Sequence, residues 1–161
     1  EDGAKEVNAD IKYQTAWTGS FTDTALAKEA AQAMIDNGAD VIGHCANESG
    51  TGALNAAQDA GVLATGDSYD QSSLAENAVL SSAVYHVPEL IKTAVSDIKE
   101  GKFKGEVKEL GMAEGIVELV YNEKMAEEIP AEVKKLVDET EAKIKDGSFE
   151  VPCDTKDRAG K

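Results

Sequence analysis

At 161 residues the chain is long enough for one domain with a real core. Its 42 % hydrophobic and 29 % charged residues are the balance of a folded globular domain, not of a disordered one. The net charge of −15 argues against nucleic acid or an anionic membrane surface as partner, because phosphates would repel it. Its plain reading is solubility.

No run of about 18 apolar residues occurs, so nothing reads as a membrane-spanning helix. Nor is a signal peptide legible. Cys45 and Cys153 are too few for a disulfide scaffold. Cys45 falls in a strand read as buried and Cys153 in a polar tail, so the two are not expected to pair. The spacings of a zinc site are missing, and no metal or cofactor is expected.

Taken in order, residues 1–8 read as the last turns of a helix with no N-cap before it, as in a cut fragment. In 10–18, Ile11, Tyr13, Thr15 and Trp17 alternate with Lys12, Gln14 and Ala16, the pattern of a first strand. Residues 19–23 are a loop in which Thr22 or Asp23 can cap the next helix. Leu26, Ala30, Ala33 and Met34 form the expected buried stripe of that helix, and Gly38 ends it. Val41 and Ile42 begin an apolar run that stops at Asn47. Residues 47–52 suit a turn opening a helix, with Ser49 or Thr51 as N-cap. Leu54, Ala57 and Ala60 recur at helical spacing until Gly61, a residue tolerant of positive φ. A short apolar run over 62–65 follows, closed by Gly66, Asp67 and Ser68.

Strand, helix and strand joined this tightly imply a right-handed βαβ unit and a parallel sheet. Ligands of such sheets sit in the crevice at the carboxyl ends of the strands. A binding site is therefore expected from the 47–52 and 66–71 loops.

Residues 79–87 read as another strand, and Pro88 suits the first turn of a helix. Leu90, Ile91, Ala94, Val95 and Ile98 line one face of that helix up to Gly101. Two strands are expected at 106–110 and 116–121. A last helix after Pro130 should turn Val133, Leu136, Val137 and Ile144 inward. Residues 149–152 read as extended and 153–161 as a polar, frayed tail. No internal repeat is visible, which excludes a solenoid.

Enzyme chemistry finds little support. A nucleophilic serine needs a base, and the only histidines are His44 and His86, with no G-x-S-x-G elbow. His44 reads as a hydrogen-bonded core histidine. Gly50 and Gly52 sit like the start of a phosphate cradle, but the third glycine of that fingerprint would fall at Asn55, and no Walker lysine follows. Asp67 and Asp70 can pair as acid and base, bind a cation, or accept hydrogen bonds from ligand hydroxyls or local backbone. Phe21, in a polar loop, either caps the core beneath it or offers a platform for a flat ligand. Tyr69 is a weaker candidate of the same kind.

The ordered set TGSFTD, NGADVI, the Gly-bearing loop, ATGDSYDQ, VLSSAVYHV, IKEGKFKGEV and IKDGSFEVP resembles the basic membrane protein family. These are substrate-binding lipoproteins of ABC transporters, similar to purine nucleoside receptors. The resemblance implies a three-layer α-β-α fold with a mostly parallel sheet, flavodoxin-like, as in one lobe of a type I periplasmic binding protein. It covers residues 1–152, which match the second, C-terminal lobe; the first lobe is expected outside this chain.

By the same resemblance Phe21 matches the ring that stacks on a purine. Asn47, Glu48, Ser49 and Gly50 stand where the family has Gly-Gly-Thr-Gly, which adds two side chains to a backbone that faces ligand. Gly66–Gln71 stands for Gly-Val-Asp-Ser-Asp-Gln, so the ribose-binding Asp falls on Ser68, with Asp67 one place early. The family's lysine after the next strand falls on Tyr85. The implied ligand-binding set is Phe21, Asn47, Glu48, Gly50, Asp67, Ser68, Asp70 and Tyr85. The implied partners are a small polar ligand such as a nucleoside and an ABC permease. The implied location is extracellular or periplasmic, lipid-anchored in the full-length parent. Two other readings stand beside it: a self-associating interaction module, as in a homodimer of the isolated lobe, and a flavodoxin-like enzyme.

Overall fold

The computed structural model describes residues 2–151. Cys153 and the polar tail lie outside the described residues. A short helix, α1 (Asp2–Val7), precedes α2 (Thr24–Asp36), which Asp23 caps by accepting from the Leu26 amide at 3.0 Å. Then come β1 (Val41–Gly43), α3 (Gly50–Ala60), β2 (Leu63–Ser68) and β3 (Val79–Tyr85). The chain continues through α4 (Val87–Lys99), β4 (Val117–Tyr121) and α5 (Ala131–Lys145). The sheet has four strands in the order β1-β2-β3-β4. β1, β2 and β3 run parallel, and β4 pairs antiparallel with β3. The architecture is thus mixed α/β, with a mostly parallel sheet flanked by helices.

The core lies between α2, α3 and one face of the sheet. It joins Ile42, Leu54, Ala56, Ala57, Ala64 and Val79, with Ala31 of α2. Most of these side chains are small, so the elements lie close together. A methyl group on Gly52 would come within 1.9 Å of the Thr24 carbonyl oxygen, so α2 and α3 meet there backbone to backbone. That approach corrects the expected stripe of α2. Ala27 and Ala31 are its buried residues, whereas Leu26 and Ala33 are exposed. At so close an approach only alanine fits, and the larger Leu26 turns away. Gly61 ends α3 as expected, with φ +70°.

Four further expectations differ. Residues 10–18 form no ladder; the segment is tied by the Gln14 amide to the carbonyls of Met34 and Asn37 at 3.2 and 3.4 Å. Apolar alternation shows that a segment is extended, while a strand also needs a backbone partner. Residues 106–110 are likewise no strand. They run beside α4, where Lys108 pairs with Asp97.

The inward faces expected for α4 and α5 also differ. Neither helix has a buried residue, and Leu90, Ile91, Val95, Ile98, Val133 and Leu136 are exposed. A helical stripe is buried only where another surface meets it. On α5, Lys134 reaches the sheet, its ammonium 5.4 Å from the centre of the Tyr121 ring. Cys45 is exposed, one residue past His44 and beyond the end of β1, and not in a buried strand.

Candidate functional site at the strand ends

The carboxyl ends of β1, β2 and β3 lie side by side, and each opens into a polar segment. After β1 the chain makes a tight turn at Asn47–Ser49 and enters α3. Ser49 holds the cap position, but its hydroxyl does not cap. It points instead at the carbonyls of Ala46 (2.8 Å) and Ser20 (3.0 Å), while its amide donates to the Phe21 carbonyl at 3.0 Å. The Phe21 loop is thereby bound to the Asn47–Ser49 turn. The Phe21 ring is 69 % exposed, so it caps no core.

Phe21 and Gly50 both line an open groove of about 650 Å³, together with Trp17, Met34, Ile42 and His44. Gly50 itself is buried: a methyl group there would lie 2.0 Å from Nδ1 of His44. Asn47 and Glu48 are exposed beside it. Asn47 has φ +53°, a left-handed conformation that asparagine tolerates better than most residues.

At the end of β2, Ser68 also takes positive φ, +72°. A serine there carries about 1–3 kcal/mol of backbone strain, which its surroundings must offset. Its hydroxyl donates to Asp67 Oδ2 at 2.9 Å, and the Tyr85 hydroxyl donates to Asp67 Oδ1 at 3.0 Å. Both oxygens of Asp67 are engaged, each with lone-pair capacity left for a ligand donor. The hydrogen bond to Asp67 holds the Tyr85 phenol above its ordinary pKa, with burial and the charge of Asp67 adding in the same direction. Asp70 has a local partner of its own. The hydroxyl and amide of Ser72 donate to it at 2.6 and 3.0 Å and keep its carboxyl below the usual range.

The structure thus brings Asp67, Ser68 and Tyr85 into one hydrogen-bonded set and places Phe21 and Gly50 on one groove. It leaves Asn47 and Glu48 on the exposed turn and sends Asp70 to its own local partner. Residues that sequence reasoning did not select join the parts. His44 Nε2 lies 2.8 Å from Gln71 Oε1, which also accepts the Asp67 amide at 2.9 Å, and the Gln71 amide donates to Ser82 at 3.1 Å. Gln71 and Ser82 are both buried. The signals in the sequence were His44, read as hydrogen-bonded, and a glutamine closing the polar 66–71 loop, which looks the same as a solvated one.

A mostly parallel sheet with linked polar loops at its strand ends is the setting in which α/β proteins hold small ligands. A family model described as ABC transporter substrate-binding protein PnrA-like matches residues 1–155, and the chain belongs to that family. It is 36 % identical over 156 residues to basic membrane protein A of Borreliella afzelii, covering 94 % of this chain and 47 % of the relative. It is 32 % identical over 147 residues to a purine-binding protein of Brucella abortus, covering 91 % of this chain and 40 % of the relative. Among solved structures, a solute-binding protein of an ABC transporter system from Aeropyrum pernix shares the fold. The TM-score is 0.77 at 22 % identity, over 95 % of this chain and 51 % of that one. The chain spans less than half the length of these two sequence relatives.

Proposed function

We propose that this chain is the C-terminal ligand-binding lobe of an ABC transporter solute-binding protein, over residues 1–152. Its ligand is a small polar molecule, a nucleoside, delivered to a permease. The parent works outside the cell or in the periplasm, held there by a lipid anchor. The mechanism is hinged closure: a ligand that touches both lobes shifts the open–closed equilibrium toward closed. The observation that carries this reading is the pairing of an exposed aromatic ring, Phe21, with a hydroxyl-accepting carboxylate, Asp67, on linked loops at one sheet edge. The purine-binding relative from Brucella abortus supports the nucleoside as candidate.

In this reading Phe21 stacks on the base. Asn47, Glu48 and Gly50 meet its edge or the sugar. Asp67 and Ser68 accept ligand hydroxyls, Asp70 does so with the oxygen that Ser72 leaves open, and Tyr85 closes the rim. One lobe encloses only part of the ligand, and the half left in water contributes nothing toward the entropy cost of association. Calorimetric titration of the full-length parent with adenosine, guanosine and inosine should therefore show saturable binding. Replacing Phe21 by Ala should weaken it by about tenfold or more, the scale of one stacked ring. The isolated chain should bind weakly or not detectably. A parent that binds none of the three nucleosides, or an isolated chain that binds one tightly, defeats the reading.

A second reading rests on a different observation, the exposed apolar face of α4. Leu90, Ile91, Val95 and Ile98 suit an interface, and a second copy of the chain is the partner it offers.

A further inference from the structure

We infer that Gln71 is a positioning residue that locks His44 into one tautomer and couples the two ligand-facing loops; the coupling rests on the nucleoside-site reading, the tautomer does not. One donor in this network cannot change roles. The Asp67 backbone N–H can only donate, and it lies 2.9 Å from one terminal atom of the Gln71 amide. That atom is therefore the carbonyl oxygen. The same oxygen stands 2.8 Å from His44 Nε2. An amide oxygen only accepts, so Nε2 of the neutral imidazole carries the proton and Nδ1 is bare.

The rest of the ring agrees with this assignment. His44 Nδ1 is buried without a hydrogen-bond partner, and a methyl group on Gly50 would come within 2.0 Å of it. The bare edge of the ring thus faces the backbone of the turn into α3. A proton on Nδ1 would have no acceptor there.

Gln71 has no slack with which to give up this role. It is 2 % exposed, and its backbone amide donates to Ser82 at 3.1 Å. A methyl group on Gly66 would meet Ser82 Oγ at 2.4 Å and Gln71 Cβ at 3.0 Å, so the side chain is packed on a glycine that leaves it room. One amide oxygen therefore joins the backbone of Asp67, at the carboxyl end of β2, to the ring that supports Gly50, the first residue of α3 after the β1 turn. The Phe21–Gly50 side and the Asp67 side then belong to one rigid unit.

Two experiments test this. In ¹⁵N-labelled protein, in mildly alkaline buffer where imidazole is neutral, long-range ¹H–¹⁵N correlation should show His44 protonated at Nε2 and bare at Nδ1. Gln71→Leu should give a mixture of tautomers and speed exchange of the Asp67 amide by about tenfold or more, as loss of a hydrogen bond does. Gln71→Glu, which keeps an acceptor in place, should restore the Nε2–H form. A wild-type ring protonated at Nδ1 overturns the proposal without any variant, and so does a Gln71→Leu protein with unchanged tautomer and exchange.

In the second experiment, nucleoside affinity of the full-length parent should fall with Gln71→Leu and recover in part with Gln71→Glu. Unchanged affinity in the leucine variant overturns the coupling. A parent that binds no nucleoside defeats the site reading and the coupling with it but leaves the tautomer result standing, so the two failures are distinct.

Discussion

Asp67 is the residue on which most of the candidate site converges. It receives Tyr85 and Ser68 on its two oxygens and lends its amide to Gln71. The bond from Tyr85 has a pH signature whose sign follows from the shift. The folded state holds the phenol in its protonated form more firmly than the unfolded chain does. The stability it contributes is fully present below the ordinary phenol pKa and is lost as pH rises through the higher folded value. Thermal denaturation from neutral pH up past the phenol range should therefore show an alkaline loss of stability that Tyr85→Phe reduces. An identical alkaline limb in both proteins would show that the Tyr85–Asp67 bond contributes nothing measurable. Asp70 shows the opposite sense, its carboxyl kept low by Ser72, and its contribution is lost as pH falls through that lowered value.

At the scale of elements, the packing of α2 on α3 is the most exacting. Gly52 brings the two helices so close that a methyl group would strike the Thr24 carbonyl, which belongs to the backbone and cannot rotate away. Gly52→Ala should cost about 3 kcal/mol in urea denaturation, at the upper end of the usual range for overpacking. Gly61→Ala, at φ +70° with open space around it, should cost about 1–2 kcal/mol, the ordinary penalty of a left-handed residue. Equal costs at the two positions would mean that the helices separate freely. The comparison also bears on the site, because α3 carries Gly50 at its first turn and α2 begins just past the Phe21 loop.

The molecule as a whole is uneven. Its buried side chains gather in α2, α3, the sheet and the short segments around them, whereas α4 and α5 bury no residue. The apolar stripe of α4 is where a further surface would add most. If a second copy covers it, sedimentation equilibrium should show a concentration-dependent dimer, and Ile91→Lys together with Ile98→Lys should return the chain to monomer. Both residues are exposed, so the pair should change the stability of the monomer little, within about 0.5 kcal/mol each. A monomer at millimolar concentration would remove the self-association reading. The net charge of −15 opposes such pairing at low salt, so the measurement belongs at physiological ionic strength.

The sequence alone determined whatever depends on neighbours along the chain. The caps and stops at Asp23, Gly61 and Pro88, the βαβ unit from β1 to β2 and the strand of β3 were all legible, because φ preferences and periodicity are local. The ordered motifs carried the family. Tertiary structure alone decided which extended segment finds a ladder, which helical stripe meets a surface and which polar side chain is buried. Residues 10–18 have strand periodicity but no ladder, and α4 has a stripe but no cover, since pairing and burial each need a second surface that periodicity does not specify. Gln71 shows the same limit within the site. A glutamine in a polar loop is ordinary until the fold brings His44, Asp67 and Ser82 around it, and then its one oxygen joins two loops.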